Sequence, residues 1–171
     1  MSKLVSILMG SDSDLKIMAN SAKKLEELGI GYTINISSAH RTLEKTLAIV
    51  DEATQDGVEV FIVAAGMAAH LAGVVAGHTT SPVIGVPMPG GALGGVDALY
   101  STVQMPSGVP VATVAIGNAG AVNAAILAAQ ILAVKYPELK VKIKNLKEKM
   151  KAEVYEKDEK LQEIGYEKYL S

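Results

Sequence analysis

The segment Ser37–Thr42, with the sequence SSAHRT, places a histidine beside an arginine. Arg41 is the only arginine in the chain, whose sixteen basic residues are otherwise lysines. A guanidinium can hold a phosphate or carboxylate through two parallel hydrogen bonds, whereas a lysine ammonium acts as a point charge. Because lysines supply the ordinary surface charge, Arg41 is predicted to bind an anion rather than to form a surface salt bridge. His40 is then a candidate general acid–base, with capping of a backbone carbonyl as the alternative.

The segment Gly10–Asp14, with the sequence GSDSD, is a second candidate anion site. It offers a glycine, two serine hydroxyls and free backbone N–H groups at the expected start of a helix, an arrangement that can bind anions. It lacks the Gly-Lys-Ser/Thr ending of a Walker loop and the spacing of a dinucleotide-binding glycine motif. The alternative interpretation is ordinary capping of the helix by Ser13 or Asp14.

Two more histidines and a glycine-rich segment lie in the middle of the chain. His70, in GMAAHL, either faces the same crevice as His40 or packs structurally, and His78, in AGHTT, is interpreted as structural. Three histidines without clustered carboxylates or i, i+4 pairing make a poor metal site, so we expect no metal. The segment 87–95, PMPGGALGG, is predicted to be a mobile flap or to bring its backbone close to a ligand.

Alternating strands and helices are needed to bring these segments together. Apolar runs predict strands at 4–9, 32–36, 58–65, 82–87 and 110–116. Helices are expected at 14–28, 42–56, near 68–76, shortly before the fifth strand, at 119–134 and at about 138–161. Continuous apolar strands separated by helices indicate a doubly wound parallel sheet, as in Rossmann- or flavodoxin-like α/β domains. Because ligands bind at the carboxyl ends of such strands, the polar segments should meet in one crevice.

Composition restricts the class of protein further. The chain has 171 residues, a net charge of −2 and no cysteine. We expect one domain with a core at 1–134 and a lysine-rich helix and tail at 135–171. The absence of cysteine excludes disulfides and zinc–thiolate sites, and the N-terminus lacks signal-peptide features, so a cytoplasmic location is expected. The near-neutral charge gives no indication of nucleic-acid binding.

The middle of the chain is almost free of charge. No lysine or arginine occurs from Thr46 to Val134, and Asp97 is the only carboxylate from Val60 to Val134. One explanation is a membrane span at 111–134, but its glycine, asparagine, glutamine and alanine content disfavours insertion. The preferred explanation is burial against other subunits of a homo-oligomer.

From the residues alone, the prediction is an α/β enzyme that handles a phosphorylated small molecule with a histidine proton carrier.

Several segments, in this order, resemble those of a known family: MGSDSD, SSAHRT, AAGMAAHL and GGVDALYSTVQMPSGVPVATVAIGNAG. They are similar to those of the N5-carboxyaminoimidazole ribonucleotide mutases, the PurE family of purine biosynthesis. The resemblance covers about residues 4 to 134. It implies a three-layer α/β/α subunit in a homo-octamer, joined partly by its C-terminal helices. It also implies the movement of a carboxylate from N5 to C4 of an aminoimidazole ribonucleotide, without ATP, biotin or metal.

The resemblance also implies roles for individual residues. Ser11, Ser38 and Arg41 would lie near the substrate phosphate, and Asp14 near the ribose hydroxyls. His40 would be the catalytic acid and base, and His70 the second histidine of the active site. The full set of expected substrate-binding residues is Gly10, Ser11, Ser13, Asp14, Ser38, Ala39, Arg41, Gly66, Ala69 and Leu71.

Two alternative functions remain open from the sequence. The second class of the same family carboxylates aminoimidazole ribonucleotide directly with CO2, but His70 and the GGVDALYS segment favour the mutase class. A noncatalytic nucleotide-binding module is the alternative of another kind. It predicts that replacing His40 with asparagine leaves both ligand binding and biological activity intact.

Overall fold

A parallel β-sheet forms the centre of the structure, a computed structural model that describes residues 2–170. Over those residues the sheet has five strands in the order β2-β1-β3-β4-β5, and all neighbouring strands are parallel. The predicted doubly wound parallel sheet is therefore confirmed. The strands are β1 (Lys3–Met9), β2 (Gly31–Ile36), β3 (Val60–Ala65), β4 (Val83–Pro87) and β5 (Ala112–Thr113).

Helices connect successive strands and cover the sheet on both sides, which gives the expected three layers. A short 3-10 turn at Asp12–Asp14 precedes the first helix. The helices are α1 (Leu15–Glu27), α2 (Leu43–Gln55), α3 (Leu71–His78), α4 (Val96–Val103), α5 (Asn118–Leu132) and α6 (Pro137–Leu170).

Alternate residues of the strands point to opposite faces and build two separate cores. On one face, Val5, Ile7 and Met9 of β1 belong to a buried cluster with residues of α1, α5 and the beginning of α6. On the other face, Leu8 of β1 and Phe61 of β3 belong to a cluster with residues of α2 and α3. Because the central strands are buried on both sides, their sequences are continuously apolar rather than alternating.

The boundaries of two predicted elements differ from the structure. The fifth strand pairs with β4 only through Ala112 and Thr113, instead of extending over 110–116. Its first expected residue, Pro110, has no backbone N–H to donate to a neighbouring strand. The last helix is interrupted at Gly165, which has a non-helical φ of 75° and ψ of 160°, a few residues beyond the expected end near 161, and a second helical segment follows to Leu170. Its residues from 151 to 160 are all exposed, so packing against the rest of the chain does not fix its length.

The helix α5 lies close to the loop that precedes it. A Cβ atom at Gly120 would lie 1.7 Å from the carbonyl oxygen of Ala115, so only glycine permits this approach. Nearby in the helix, Ala121, Ala124 and Ala125 are fully buried. Within residues 2–170, no helix is both long and apolar enough to cross a membrane.

Candidate active site

A cavity of about 760 Å³ opens where the carboxyl ends of β1, β2, β3 and β4 meet. Its walls come from the loops that follow these four strands, as the position of ligand sites in parallel sheets predicts. All but one of the residues expected from the sequence line it, namely Gly10, Ser11, Ser13, Asp14, Ser38, Ala39, His40, Arg41, Gly66, His70 and Leu71.

The exception is Ala69, which is 1% exposed and does not line the cavity. The sequence reasoning also missed several lining residues. Met88, Pro89, Gly90 and Gly91 belong to the segment that was predicted as a flap but were not named as substrate-binding residues. The others are Ala65, Met67 and Ala68, which carry no side-chain chemistry that would have singled them out.

The two histidines of the cavity are in direct contact. His40 Nε2 lies 2.6 Å from His70 Nδ1, and the ring planes are inclined by 72°. One of these nitrogens must carry the hydrogen and the other must accept it, so the tautomers of the two rings are coupled. Both rings cannot be doubly protonated in this arrangement, because two N–H groups would then face each other. The pair can therefore hold at most one positive charge, and a proton gained by one ring alters the hydrogen bonding of the other.

Arg41 lies on the same wall of the cavity as His40. Its Nε donates a weak hydrogen bond of 3.4 Å to Ser38 Oγ. No carboxylate within residues 2–170 forms a salt bridge with Arg41, so the surface salt bridge considered from the sequence is absent from the described part of the chain. The exposed guanidinium therefore has donor groups available for an anion at the mouth of the cavity.

The segment Gly10–Asp14 forms a tight turn that also lines the cavity. Ser11 Oγ accepts hydrogen bonds from the Ser13 backbone N–H at 3.3 Å and from Ser13 Oγ at 3.0 Å. Asp14 makes no side-chain capping bond at the start of α1, so its interpretation as an ordinary cap is wrong. Burial raises the pKa of Asp14 above its ordinary value of 3.8, although hydrogen bonds from Ser13 and Ser11 oppose the shift. A partly desolvated carboxylate that faces a cavity is suited to accepting hydrogen bonds from ligand hydroxyls.

The glycine-rich segment forms the remaining wall. Gly91 has a φ of 61°, and Gly95 has a φ of 95°, both in the left-handed region that favours glycine. A Cβ atom at Gly95 would lie 3.0 Å from the carbonyl oxygen of Met88, so the chain also packs closely there. Met67, which lines the cavity opposite Gly91, is the one non-glycine residue between 2 and 170 with a positive φ, 54°. The movement of this segment as a flap stays a prediction.

The remaining histidine lies outside the cavity. His78 Nε2 is 2.8 Å from Asp51 Oδ1, so it links the end of α3 to α2. This contact agrees with its interpretation as a structural residue. Among residues 2–170, no group of three or more histidine, cysteine, aspartate or glutamate side chains is arranged to hold a metal ion.

Known proteins are similar to this chain in sequence and in fold. The sequence model of the AIR carboxylase family matches residues 4–153. The chain is 56% identical to the N5-carboxyaminoimidazole ribonucleotide mutase of Thermotoga maritima, covering 98% of this chain and 96% of that protein. It is 48% identical to the phosphoribosylaminoimidazole carboxylase of Candida glabrata, but there it matches only 29% of the larger protein. The crystal structure of Treponema denticola PurE superimposes with a TM-score of 0.84 at 36% identity, covering 93% of this chain and 98% of that one.

Proposed function

The chain belongs to the AIR carboxylase family, and we propose that it is a mutase that converts N5-carboxyaminoimidazole ribonucleotide to 4-carboxy-5-aminoimidazole ribonucleotide. The reaction is a step of purine biosynthesis and makes the protein an isomerase. The main support for this proposal is that His40 and His70 are in contact in the same cavity as Arg41. Arg41 has no carboxylate partner within residues 2–170. The pair supplies a proton carrier, and the arginine supplies an anion site on the same wall.

The cavity residues divide into a phosphate end and a reacting end. We assign the substrate phosphate to Arg41, Ser38 and Ser11, because these hydroxyl and guanidinium donors line the same cavity and Arg41 Nε lies 3.4 Å from Ser38 Oγ. Asp14 is assigned to the ribose hydroxyls, for which a carboxylate is a suitable acceptor. The imidazole ring would then lie against His40 and His70.

The histidine pair can move the required proton in both directions. Protonated His40 donates a proton to N5, the bond between N5 and its carboxylate breaks, and CO2 is released into the cavity. The electron-rich C4 then attacks CO2 and forms the new C–C bond. Neutral His40 removes the proton from C4, which restores aromaticity and returns the histidine to its starting state. One proton enters and one leaves, so no external acid or base is consumed.

His70 is suited to preparing His40 for these two steps. Its Nδ1 lies at hydrogen-bond distance from His40 Nε2 and can accept a hydrogen from it or donate one to it. This contact orients the His40 ring. It also compensates the positive charge that His40 loses and regains as it gives up and takes back a proton. Closure of the segment 87–95 over the cavity would retain CO2 next to C4 and exclude water.

The direct test follows the conversion of N5-carboxyaminoimidazole ribonucleotide by the purified protein. Formation of the C4 carboxylate, without ATP or added bicarbonate, is the expected result. The second candidate is direct carboxylation of aminoimidazole ribonucleotide, the activity in the name of the C. glabrata relative. Turnover of aminoimidazole ribonucleotide with bicarbonate, together with no conversion of the N5-carboxylated substrate, would replace the mutase with this alternative.

Three further expectations accompany this proposal, on the oligomeric state, the location and the cofactor requirement. We propose a homo-octamer, supported by the uncharged middle of the chain and by the long stretch of α6 that is exposed in one subunit. A cytoplasmic location is proposed on the sequence features described above. The reaction as written requires neither a metal nor an organic cofactor.

A further inference from the structure

Three hydroxyl groups lie behind the wall of the cavity that carries His40 and Arg41. They belong to Ser37, Thr42 and Thr46, and none of these residues lines the cavity. Ser37 is 2% exposed and Thr46 is 0% exposed. Ser37 and Thr46 flank the turn on its two sides, because Ser37 directly follows β2 and Thr46 lies in the first turn of α2.

The hydroxyls form a continuous hydrogen-bonded chain. Thr46 Oγ1 lies 2.8 Å from Ser37 Oγ, which lies 3.2 Å from Thr42 Oγ1. Thr42 Oγ1 donates to the Ser38 carbonyl oxygen at 3.2 Å. If each hydroxyl donates one hydrogen bond, Thr46 donates to Ser37, Ser37 donates to Thr42, and Thr42 donates to the Ser38 carbonyl. Every hydroxyl then has an acceptor. Thr42 is exposed, so only the link between Thr46 and Ser37 is fully buried. Hydrogen bonds that share donors and acceptors strengthen one another in such a buried site.

The chain of hydroxyls ends on a turn whose middle residues are Ala39, His40 and Arg41. The backbone N–H of Thr42 donates to the Ser38 carbonyl at 2.9 Å, which closes the turn. Thr42 Oγ1 also accepts from the Ser38 backbone N–H at 2.9 Å. Both backbone polar groups of Ser38 are therefore held by Thr42, so the turn is fixed at its first and last residues.

The use of Thr42 is unusual for its position. It is the capping residue of α2, where a threonine hydroxyl ordinarily accepts from a backbone N–H in the first helical turn. Here it makes no such bond and instead holds Ser38. The middle of the chain of hydroxyls is anchored independently, since the Ser37 backbone N–H donates to the Met9 carbonyl of β1 at 2.9 Å. The turn is thus tied to the sheet through a backbone hydrogen bond and to α2 through hydroxyl groups, in addition to the packing of Ala39 against the apolar core.

We propose that Ser37, Thr42 and Thr46 are positioning residues for His40 and Arg41 in the reaction proposed above. The contact of 2.6 Å between His40 and His70 joins two different loops and tolerates little displacement. A shift of the turn by a fraction of an ångström would lengthen this contact and move the guanidinium relative to the phosphate. Misplacement of reacting groups by about 1 Å can reduce rates by about a hundredfold, even when the altered residue does not touch the substrate.

The test replaces Thr46 with valine, which keeps the shape of the side chain and removes only the hydroxyl. We expect Thr46→Val to lower kcat/KM about tenfold, because His40 and Arg41 would be partly displaced. Thr46→Ser keeps the hydroxyl and should retain most of the wild-type kcat/KM. The matched control is Thr102→Val, because Thr102 is also buried in a helix and donates to a backbone carbonyl four residues earlier, at 2.7 Å. That control is expected to keep kcat/KM within about twofold of the wild type while losing comparable stability to urea.

A double substitution separates positioning from general destabilisation. Because Ser37 and Thr46 belong to one chain of hydroxyls, Ser37→Ala combined with Thr46→Val should cost about as much activity as either change alone. Additive losses, or equal losses in Thr46→Val and Thr102→Val, would overturn the proposal. Failure of the function proposed above is distinguishable, because the wild-type protein itself would then not convert the N5-carboxylated substrate.

Discussion

The assignment of Arg41 to the substrate phosphate makes a quantitative prediction for Arg41→Lys. The guanidinium is exposed at the rim of the cavity and has no carboxylate partner within residues 2–170, so the substitution breaks no ion pair described there. Its only hydrogen bond to another side chain among those residues is the 3.4 Å contact with Ser38 Oγ. Changes in stability should therefore be small, and the effect should be confined to the ligand.

The expected loss follows from the geometry of the two side chains. A lysine keeps the charge but cannot form two parallel hydrogen bonds to a phosphate, so about one charge-assisted bond is lost, worth roughly 1–3 kcal/mol. This corresponds to a 5- to 150-fold increase in the dissociation constant, at about 1.4 kcal/mol for each factor of ten. We expect most of this increase to appear in KM, because the phosphate is remote from the reacting atoms.

The assay compares the phosphorylated substrate with the corresponding nucleoside, which lacks the phosphate. Arg41→Lys should weaken binding of the nucleotide and leave binding of the nucleoside unchanged. Lys45→Gln is the control, because Lys45 Nζ donates to the Ile36 carbonyl at 3.0 Å and the residue does not line the cavity. It removes a nearby positive charge without removing a proposed phosphate ligand. Equal weakening of nucleotide and nucleoside binding, or an unchanged KM for the nucleotide, would refute the reasoning.

Three further predictions concern catalysis and stability. His40→Asn should retain substrate binding, measured by calorimetry, but lower kcat by about 10²- to 10⁴-fold, the usual contribution of a general acid–base; a kcat near the wild-type value would refute the assignment of His40 as the acid and base. Asp14→Asn should raise KM but increase the thermal stability of the ligand-free protein at pH 7. The sign follows from the raised pKa of Asp14, since its charged form is disfavoured on folding, so stability falls as pH rises from 3.8 through the folded pKa. The gain should therefore vanish below pH 3.8, and a gain that persists there would contradict this cause. Ser21→Ala should increase the free energy of unfolding by about 1 kcal/mol in urea titrations, because Ser21 Oγ is buried without a hydrogen-bond partner within residues 2–170. A loss of stability would show that the hydroxyl does have a hydrogen-bond partner.

The sheet and the approximate position of the site followed from local sequence patterns. The runs at 4–9 and 82–87 are apolar apart from Ser6, and such runs form strands that are buried on both faces. Since parallel strands end at the same edge, the polar segments after them had to be neighbours. That the whole chain is one domain stays a prediction.

Contacts between separate loops could not be obtained in this way. His40 and His70 are thirty residues apart, and no periodicity predicts that their nitrogens lie 2.6 Å from each other. Ala69 illustrates the same limit, because the side chain next to His70 turns into the core while its neighbours face the cavity. The hydroxyls of Ser37 and Thr46 were also missed, because serine and threonine near a helix start are expected to cap it.

The origin of the carboxylate in the product tests the central claim most directly. The protein is given N5-carboxyaminoimidazole ribonucleotide with an unlabelled carboxylate in buffer that contains ¹³C-bicarbonate, and the early product is examined by mass spectrometry. Transfer through CO2 held in the cavity predicts a product whose C4 carboxylate is almost unlabelled. A product labelled to the level of the buffer would contradict the mutase reaction and favour carboxylation by free CO2.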